Sequence, residues 1–308
     1  MGFERRETPE RPPESLVPPH RSEPPMPTDR AQHLSRLAWQ LVGPVLAAGA
    51  VEMRHYQSGV EVQTKADQSP VTIADQEAEA ILLEALARLE PAIPVVAEEA
   101  VSEGRVPATA GTFFLVDPLD GTREFINKRG EFTVNVALIE NGRPVLGLVY
   151  APALSELYAT LEPGVAGLAQ IAPDSRPASL DACGFRPITT RQPDPTRLTA
   201  VASRSHMTPD TEAFLARYRI AERRDSGSSL KFCTIARGQA DIYPRLAPTM
   251  EWDIAAGHAV LIAAGGDVTG TDGQPLVYGK AATGFRNEHF VAWGTPHPLA
   301  PDTPADSK

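Results

Sequence analysis

A hydrophobic segment, Thr112–Val116, leads directly into the turn Asp117-Pro118-Leu119-Asp120-Gly121-Thr122, and this junction constrains the chain more than any other feature. The segment predicts a buried strand, and the proline-stiffened turn that ends it lets two carboxylates and the Leu119 carbonyl converge on one point. Gly121 permits a close backbone approach, and its N–H, with that of Thr122, can face an anion at a helix start. Hard oxygen ligands of this kind suit Mg²⁺, which retains waters and binds substrate phosphates. The alternative is an Asp-rich turn that only caps a helix.

Acidic residues stand at the ends of three other predicted elements. Glu98-Glu99 follows the short strand Val95-Val96, Asp75 begins a helix, and Asp253 lies in the first turn of an apolar helix. Each acid taken alone is more typical of a solvated loop or a helix cap. Ends of elements can meet at one edge of a sheet, and four of these acids would repel one another there unless cations held them. The four are Glu98, Asp117, Asp120 and Asp253. We expect two or three Mg²⁺ ions to neutralise them, to activate a water and to stabilise a leaving oxygen.

The rest of the chain predicts helices and strands in irregular order. The first half gives helices over 33–56 and 74–90, an exposed loop over 57–72, and a hairpin of Phe132–Ile139 and Pro144–Tyr150. A looser stretch over 162–196 leads into the second half. The elements expected there are strands at Leu198–Ala202 and Ala240–Tyr243 and helices over 210–219, 228–237 and Trp252–Ala264. Irregular alternation favours a mixed α/β fold of layered helices and sheets over a regular doubly wound unit.

Proline content sets the ends of the chain apart from the folded part. Twelve of the 30 prolines lie in residues 1–30 and 294–308. Pro-rich polar sequence buries too little apolar area to offset the entropy lost on ordering. We therefore predict disordered tails over these two ranges. Between them we predict an N-terminal subdomain over 31–160 with most metal ligands, and a C-terminal subdomain over 161–293 with Asp253 and the substrate contacts.

Charge and cysteine content exclude several classes of protein. A net charge of -10 without a basic run argues against nucleic-acid polymers as partners. Two cysteines fifty residues apart give neither a disulfide framework nor a zinc site. No hydrophobic segment follows the N-terminal charges, so no signal peptide is expected. The apolar stretch Leu37–Val51, interrupted by Gly43-Pro44, predicts a kinked core helix and no membrane span. Together these features predict a cytoplasmic protein; peripheral association with the inner membrane stays open.

Three motifs together resemble the magnesium-dependent, lithium-sensitive inositol monophosphatase superfamily. They are VDPLDGTREFI at Val116–Ile126, Ala97–Glu99 upstream of it, and WDIAAG at Trp252–Gly257, and the match covers about residues 33–292. The resemblance implies a layered αβαβα sandwich of the inositol monophosphatase/fructose-1,6-bisphosphatase type. It also implies that the metals are held by Glu98, Asp117, the Leu119 carbonyl, Asp120 and Asp253.

The same resemblance implies roles in catalysis. Thr122, oriented by Asp75, contacts the attacking water, and Glu98 serves catalysis as well as metal binding. A loop carrying Lys65 and Asp67 closes over the site. The residues implied to contact the reacting phosphate are Leu119, Asp120, Gly121, Thr122 and Asp253.

A second anion would need further donors and cations, and the sequence offers candidates. The Gly-containing turn before residue 230, with Ser228 and Ser229, offers backbone N–H groups. Lys231, Arg245 and Arg204 are candidate cations, and for each a solvated surface charge is the alternative.

Further motifs point to one branch of the superfamily. They are KADQSPVT at Lys65–Thr72, GEFTVN at Gly130–Asn135, SGSSLKFC at Ser226–Cys233 and YPR at Tyr243–Arg245. They are similar to the bacterial CysQ-type 3'(2'),5'-bisphosphate nucleotidases. That branch converts adenosine 3',5'-bisphosphate to AMP and phosphate, also acts on the related sulfated nucleotide, and belongs to sulfate assimilation.

Two alternatives to this function stay open. One is an inositol or sugar monophosphatase of the same superfamily. The other is a non-catalytic regulator that binds a metal or ligand on the same fold. A homodimer, with the hairpin over 132–150 at its interface, is a further expectation that the sequence does not test.

Overall fold

The computed structural model describes residues 28–59, 62–64, 70–202 and 208–301. Lys65, Asp67, Arg204 and most of the two predicted tails lie outside these ranges. Within them the protein has the mixed α and β structure that the sequence predicts. Its α-helices are α1 (Thr28–Ser58), α2 (Ile73–Leu89), α3 (Glu98–Ser102), α4 (Thr122–Ile126), α5 (Pro209–Leu215), α6 (Leu230–Ala236) and α7 (Glu251–Ala263).

The described strands form two larger sheets and two short pairs. The first nine are β1 (Val62–Thr64), β2 (Pro70–Thr72), β3 (Val95–Ala97), β4 (Thr112–Asp120), β5 (Thr133–Glu140), β6 (Arg143–Ala151), β7 (Glu156–Glu162), β8 (Val165–Gln170) and β9 (Arg186–Ile188). The others are β10 (Leu198–Ala202), β11 (Ile220–Asp225), β12 (Ile242–Arg245), β13 (Thr249–Met250), β14 (Asp267–Thr269), β15 (Arg286–Asn287) and β16 (Phe290–Trp293). Seven strands follow the order β3-β4-β5-β6-β7-β8-β9, and five follow β11-β10-β12-β16-β14. The pairs are β1-β2 and β13-β15.

These elements stack in five layers. Successive side chains of a strand point to opposite faces of its sheet. On β4, Phe114 belongs to the core shared with α1 and α2, whereas Phe113 belongs to the core shared with α6 and α7. On β12 of the five-stranded sheet, Tyr243 joins the α6 and α7 core, and Ile242 joins the core that includes Phe214 of α5. The order is therefore helices, sheet, helices, sheet, helix, which is the αβαβα sandwich implied by the resemblance.

The stretch over 162–196, predicted as loose, contains strand structure, and that prediction was wrong. β8 and β9 extend the large sheet, antiparallel to their neighbours. β8 reads VAGLAQ, so its small residues give no clear hydrophobic period, and its burial comes from the neighbouring elements. The change from the large sheet to the five-stranded sheet lies between residues 188 and 198. The predicted subdomain boundary at 160/161 stays a prediction.

Two other local predictions need correction. The helix expected over 210–219 ends at Leu215, and β11 follows as an edge strand whose side chains are mostly exposed. Its charged sequence, IAERRD, lacks the alternation that would have revealed it. In the predicted loop over 57–72, β1 pairs antiparallel with β2.

The hairpin of β5 and β6 occupies the middle of the seven-stranded sheet. Residues of both strands contribute to the cores on both faces, including Val136 and Ile139 of β5 and Leu148 and Val149 of β6. Both faces of the hairpin therefore pack against other parts of the same chain, so neither face can be the interface of a dimer. A homodimer stays a prediction without an assigned surface.

Helix α1 carries the apolar stretch that was predicted to be a core helix. By length and hydropathy alone, Asp29–Ser58 could cross a membrane, but 56% of its apolar window is buried inside the protein. Leu37, Leu41 and Val45 are almost fully buried in the core under the large sheet. The helix continues through Pro44.

Gly147 on β6 packs directly against the backbone of α7. A Cβ atom at this position would lie 2.4 Å from the Ala256 carbonyl oxygen and 2.8 Å from the Ala259 Cβ. Because neither neighbour is the end of a flexible side chain, we expect Gly147→Ala to lower the free energy of unfolding by about 1–3 kcal/mol. Urea unfolding measures this change. Gly294→Ala is the matched control, since its Cβ would meet nothing closer than 3.4 Å; equal stability loss in both variants would contradict the close-packing argument.

Candidate active site

The strand β4 carries the central turn of the site. β4 and β5 pair in register as far as Asp117, opposite Asn135, and resume at Asp120, opposite Thr133, so β4 holds one extra residue between these points. Such a bulge re-aims side chains locally. The Asp117 carboxylate accepts a hydrogen bond from the Leu119 N–H at 3.0 Å, which fixes the turn.

Gly121 completes this turn. Its φ is +93°, a left-handed conformation that favours glycine, and a Cβ there would lie 3.1 Å from the Glu131 carbonyl oxygen. The chain can therefore enter α4 at Thr122, immediately beside the acidic residues of the turn.

Three of the predicted acids converge. Carboxylate oxygens of Glu98, Asp117 and Asp253 all lie within 4.8 Å of one another. Glu98 is the first residue of α3, directly after β3, Asp117 comes from β4 and Asp253 from the first turn of α7, so three separate elements supply the group. The group can hold a metal ion, because a cation would offset the repulsion among closely spaced carboxylates.

Asp253 is fixed from the preceding strand. The Thr249 hydroxyl donates to its Oδ2 at 2.5 Å and the Met250 N–H at 2.9 Å. Burial raises the pKa of Asp253 above its usual range, and the negative charges of Asp120 and Glu98 raise it further. A cation would offset all three effects.

Asp120 lies beside this group and has a partner of its own. The Ser228 hydroxyl donates to Asp120 Oδ2 at 2.5 Å and lies 2.5 Å from the Thr133 hydroxyl. Ser228 has a φ of +52°, which is strained for a serine, and strain of this kind is retained where the surrounding structure fixes it. Asp120, Glu98 and Asp253 line one open cavity of about 270 Å³.

Thr122 and Asp75 meet as predicted. The Thr122 hydroxyl lies 3.3 Å from Asp75 Oδ1 and 3.3 Å from the Leu119 carbonyl. The other carboxylate oxygen of Asp75 accepts the N–H and the hydroxyl of Thr72, at 2.8 and 2.7 Å. Asp75 therefore caps α2, as the alternative interpretation had it, and also faces Thr122.

Three of the residues predicted to contact the rest of the substrate line the same cavity, namely Ser228, Lys231 and Arg245, but several already have partners. Ser229 is buried and does not line the cavity. Ser229 donates to the Asp253 carbonyl at 2.6 Å. Lys231 donates to the Ser228 carbonyl at 2.6 Å, and burial lowers the pKa of Lys231 to about 8. Arg245 lines the cavity and donates to the Pro248 carbonyl at 3.2 Å.

Some residues around the site were missed from the sequence. Thr249 and Thr133 support predicted ligands, and Glu79 of α2 accepts the N–H groups of Glu99 and Ala100 at 2.7 and 2.8 Å. The sequence offers no local signal for Glu79, since its partners are 20 and 21 residues further along the chain. Arg123 and Arg129 also line the cavity.

Known proteins are similar to this chain in sequence over most of its length. The CysQ 3'(2'),5'-bisphosphate nucleotidase of Escherichia coli O157:H7 is 42% identical over 234 residues, which cover 75% of this chain and 89% of that protein. Its counterpart in Buchnera aphidicola subsp. Acyrthosiphon pisum is 38% identical over 249 residues, 80% of this chain and 89% of that protein.

Solved structures agree with this. The crystal structure of CysQ from Bacteroides thetaiotaomicron has a TM-score of 0.69 and 36% identity, covering 86% of this chain and 97% of that one. An inositol monophosphatase from Anabaena sp. PCC 7120 has a TM-score of 0.63 and 26% identity, covering 87% and 91%. The sequence profile of the inositol monophosphatase family matches residues 33–294. The chain therefore belongs to the inositol monophosphatase family.

Proposed function

We propose that this protein is a Mg²⁺-dependent phosphatase that removes the 3'-phosphate of adenosine 3',5'-bisphosphate, giving AMP and phosphate. The related sulfated nucleotide is a second substrate under the same proposal, which links the enzyme to sulfate assimilation in the cytoplasm. The convergence of Glu98, Asp117 and Asp253 within 4.8 Å carries the proposal. Relatives at 42% and 38% identity that are named 3'(2'),5'-bisphosphate nucleotidases supply the substrate class.

The donor set fits Mg²⁺. It consists of carboxylate and carbonyl oxygens, which are hard ligands, and it places several negative charges in a partly buried cluster. The residues that would hold two or three ions are Glu98, Asp117, the Leu119 carbonyl, Asp120 and Asp253. When bound, Mg²⁺ lowers the pKa of a water and offsets the charge that develops on the phosphate.

The chain's own residues orient the attack. A threonine hydroxyl has one hydrogen, and Asp75 is the acceptor that stays available for it if the Leu119 carbonyl faces a cation. The lone pairs of Thr122 are then free to accept a hydrogen from the attacking water. Asp75 is held rigidly by Thr72, so the hydroxyl keeps one orientation. The N–H groups of Gly121 and Thr122 receive the reacting phosphate in this proposal.

The second phosphate of the substrate needs a separate cation. Lys231 and Arg245 border the cavity on the side of α6 and β12, and the positive charge of Lys231 lies near Asp120. The serine hydroxyls at 228 and 229 are directed to Asp120 and to the Asp253 backbone, so their side chains support the ligands. Under this proposal they meet the substrate through their backbone.

A phosphate-release assay over a substrate panel tests the function. We expect adenosine 3',5'-bisphosphate to be hydrolysed with the highest kcat/KM, to require Mg²⁺ and to be inhibited by Li⁺. The sulfated nucleotide and inositol 1-phosphate complete the panel, and the chain treated with a chelator is the control.

Each other outcome selects a different function. Preference for inositol 1-phosphate would establish an inositol monophosphatase and reject the nucleotidase. No phosphate release from any substrate, in protein that still binds Mg²⁺, would favour the non-catalytic regulator.

A further inference from the structure

Glu79 is a buried carboxyl on α2 that no step of the proposed reaction uses. Its side chain is 3% exposed, and its two oxygens accept hydrogen bonds from consecutive backbone N–H groups, Glu99 at 2.7 Å and Ala100 at 2.8 Å. Glu79 therefore binds the backbone of the first turn of α3, the short helix that begins with Glu98.

The first turn of α3 needs support from outside the helix. The first N–H groups of a helix have no partner within the helix, and a helix of five residues is far too short to be stable by itself. Ala97, the residue before α3, offers no side-chain hydrogen bond. The Glu79 carboxylate, which belongs to a different helix, α2, acts as the cap of α3. Its two oxygens accept both N–H groups at the same time.

These contacts help to position Glu98, one of the predicted metal ligands. Before Glu98, β3 pairs with β4 through Ala97 opposite Val116, one residue from Asp117. After Glu98, the chain is fixed by the contacts of Glu79. The Glu98 backbone is thus held on both sides, and its carboxylate lies within 4.8 Å of those of Asp117 and Asp253.

We propose that Glu79 is a positioning residue for the metal centre, acting through the backbone of α3 on Glu98. This inference rests on the proposed role of Glu98 as a metal ligand. Removal of a residue that orients a metal ligand, without itself contacting the metal, typically changes metal affinity by 10–100-fold. Glu79→Gln is the first variant, because the amide keeps the size of the side chain but can accept only one of the two N–H groups.

The test measures Mg²⁺ binding directly by isothermal titration calorimetry on the full chain. Glu79→Gln is expected to weaken binding by about 10-fold and Glu79→Ala by up to about 100-fold. Hydrogen exchange of the Glu99 and Ala100 amides is expected to accelerate. Glu84→Gln, an exposed substitution on the same helix, is the control and should leave both unchanged.

A double-mutant cycle separates positioning from a general effect on stability. If Glu79 acts through Glu98, then Glu79→Gln should weaken Mg²⁺ binding much less in a Glu98→Gln background than in the wild type. Additive effects, or a Mg²⁺ affinity in Glu79→Gln equal to that of the wild type, would overturn the inference. A wild-type chain that binds no Mg²⁺ would reject the proposed metal site itself, which is a different result from equal binding by wild type and variant.

Discussion

Replacement of Asp120 by Asn is expected to lower the turnover of the nucleotide bisphosphate by about 10²-fold or more, the usual scale for removing one preorganised electrostatic contact. Asp120 borders the cavity with Glu98 and Asp253. Asparagine keeps the shape and one oxygen that can still accept the hydrogen of Ser228, so only the charge is lost. Phosphate release at saturating substrate measures the effect.

The same variant should fold as well as the wild type or better in the absence of metal. The negative charge of Asp120 helps to raise the pKa of Asp253, which means that the two carboxyls repel each other. Removing one charge relieves this repulsion, and urea unfolding in a chelator should show unchanged or increased stability. Ser228→Ala keeps the charge of Asp120 but removes the hydrogen bond to it, so turnover should fall by about 10-fold. Turnover near the wild-type value in Asp120→Asn would reject Asp120 as part of the site.

The parts of the site that could be predicted from the sequence are those whose chemistry is local. The hydrophobic strand and the turn over 112–122 specify their own geometry, since a proline, a glycine and two acids act within six residues. The pattern Thr72-x-x-Asp75 likewise predicts a helix cap from sequence alone, and the cap is present. No local signal joins Glu98 and Asp253, which are 155 positions apart. Their convergence was predicted from the general tendency of element ends to meet at one edge of a sheet, and the resemblance supported it.

What could not be predicted depends on tertiary contacts. The sequence suggests the backbone N–H groups of the turn at Ser228 as phosphate donors, but it gives no sign that the Ser228 hydroxyl donates to Asp120, 108 residues earlier in the chain. Strands such as β8 and β11 lack a hydrophobic period, so their pairing is decided by neighbours that the local sequence does not show. Glu79 reads as one more polar residue of an amphipathic helix until its backbone partners are known.

Glu52 of α1 is an acidic residue on the buried side of its helix, and its burial leads to a prediction on stability. The residue is 0% exposed, and neither carboxyl oxygen has a hydrogen-bond partner among the described residues. Burial raises the pKa of Glu52 well above its ordinary value of 4.5, and the negative charge of Asp75 raises it further. The pKa of Tyr150 is raised as well, chiefly by burial and further by the negative charge of Glu52.

The sign of the pH dependence follows from these pKa values. Below about pH 4.5, Glu52 is protonated in both the folded and the unfolded chain. Above that pH the unfolded chain releases the proton while the folded chain keeps it, so ionisation stabilises the unfolded state relative to the folded one. Glu52 therefore contributes a stability that is complete in acid and declines by about 1.4 kcal/mol per pH unit, until the folded pKa is reached.

Glu52→Gln should abolish this decline. Its advantage in free energy of unfolding over the wild type is expected to be small near pH 4.5 and to grow by about 1.4 kcal/mol per pH unit above it, because glutamine has no proton to release. Glu52→Leu should add a gain of about 1–3 kcal/mol that does not depend on pH, since it also removes the unpaired polar atoms. Urea unfolding of the metal-free chain at pH 5, 6 and 7 measures both. Glu84→Gln, an exposed substitution on α2, is the control and should show no growing difference. A constant difference between Glu52→Gln and the wild type across this range would mean that Glu52 ionises normally in the folded protein, and the argument for its burial without a partner would fail.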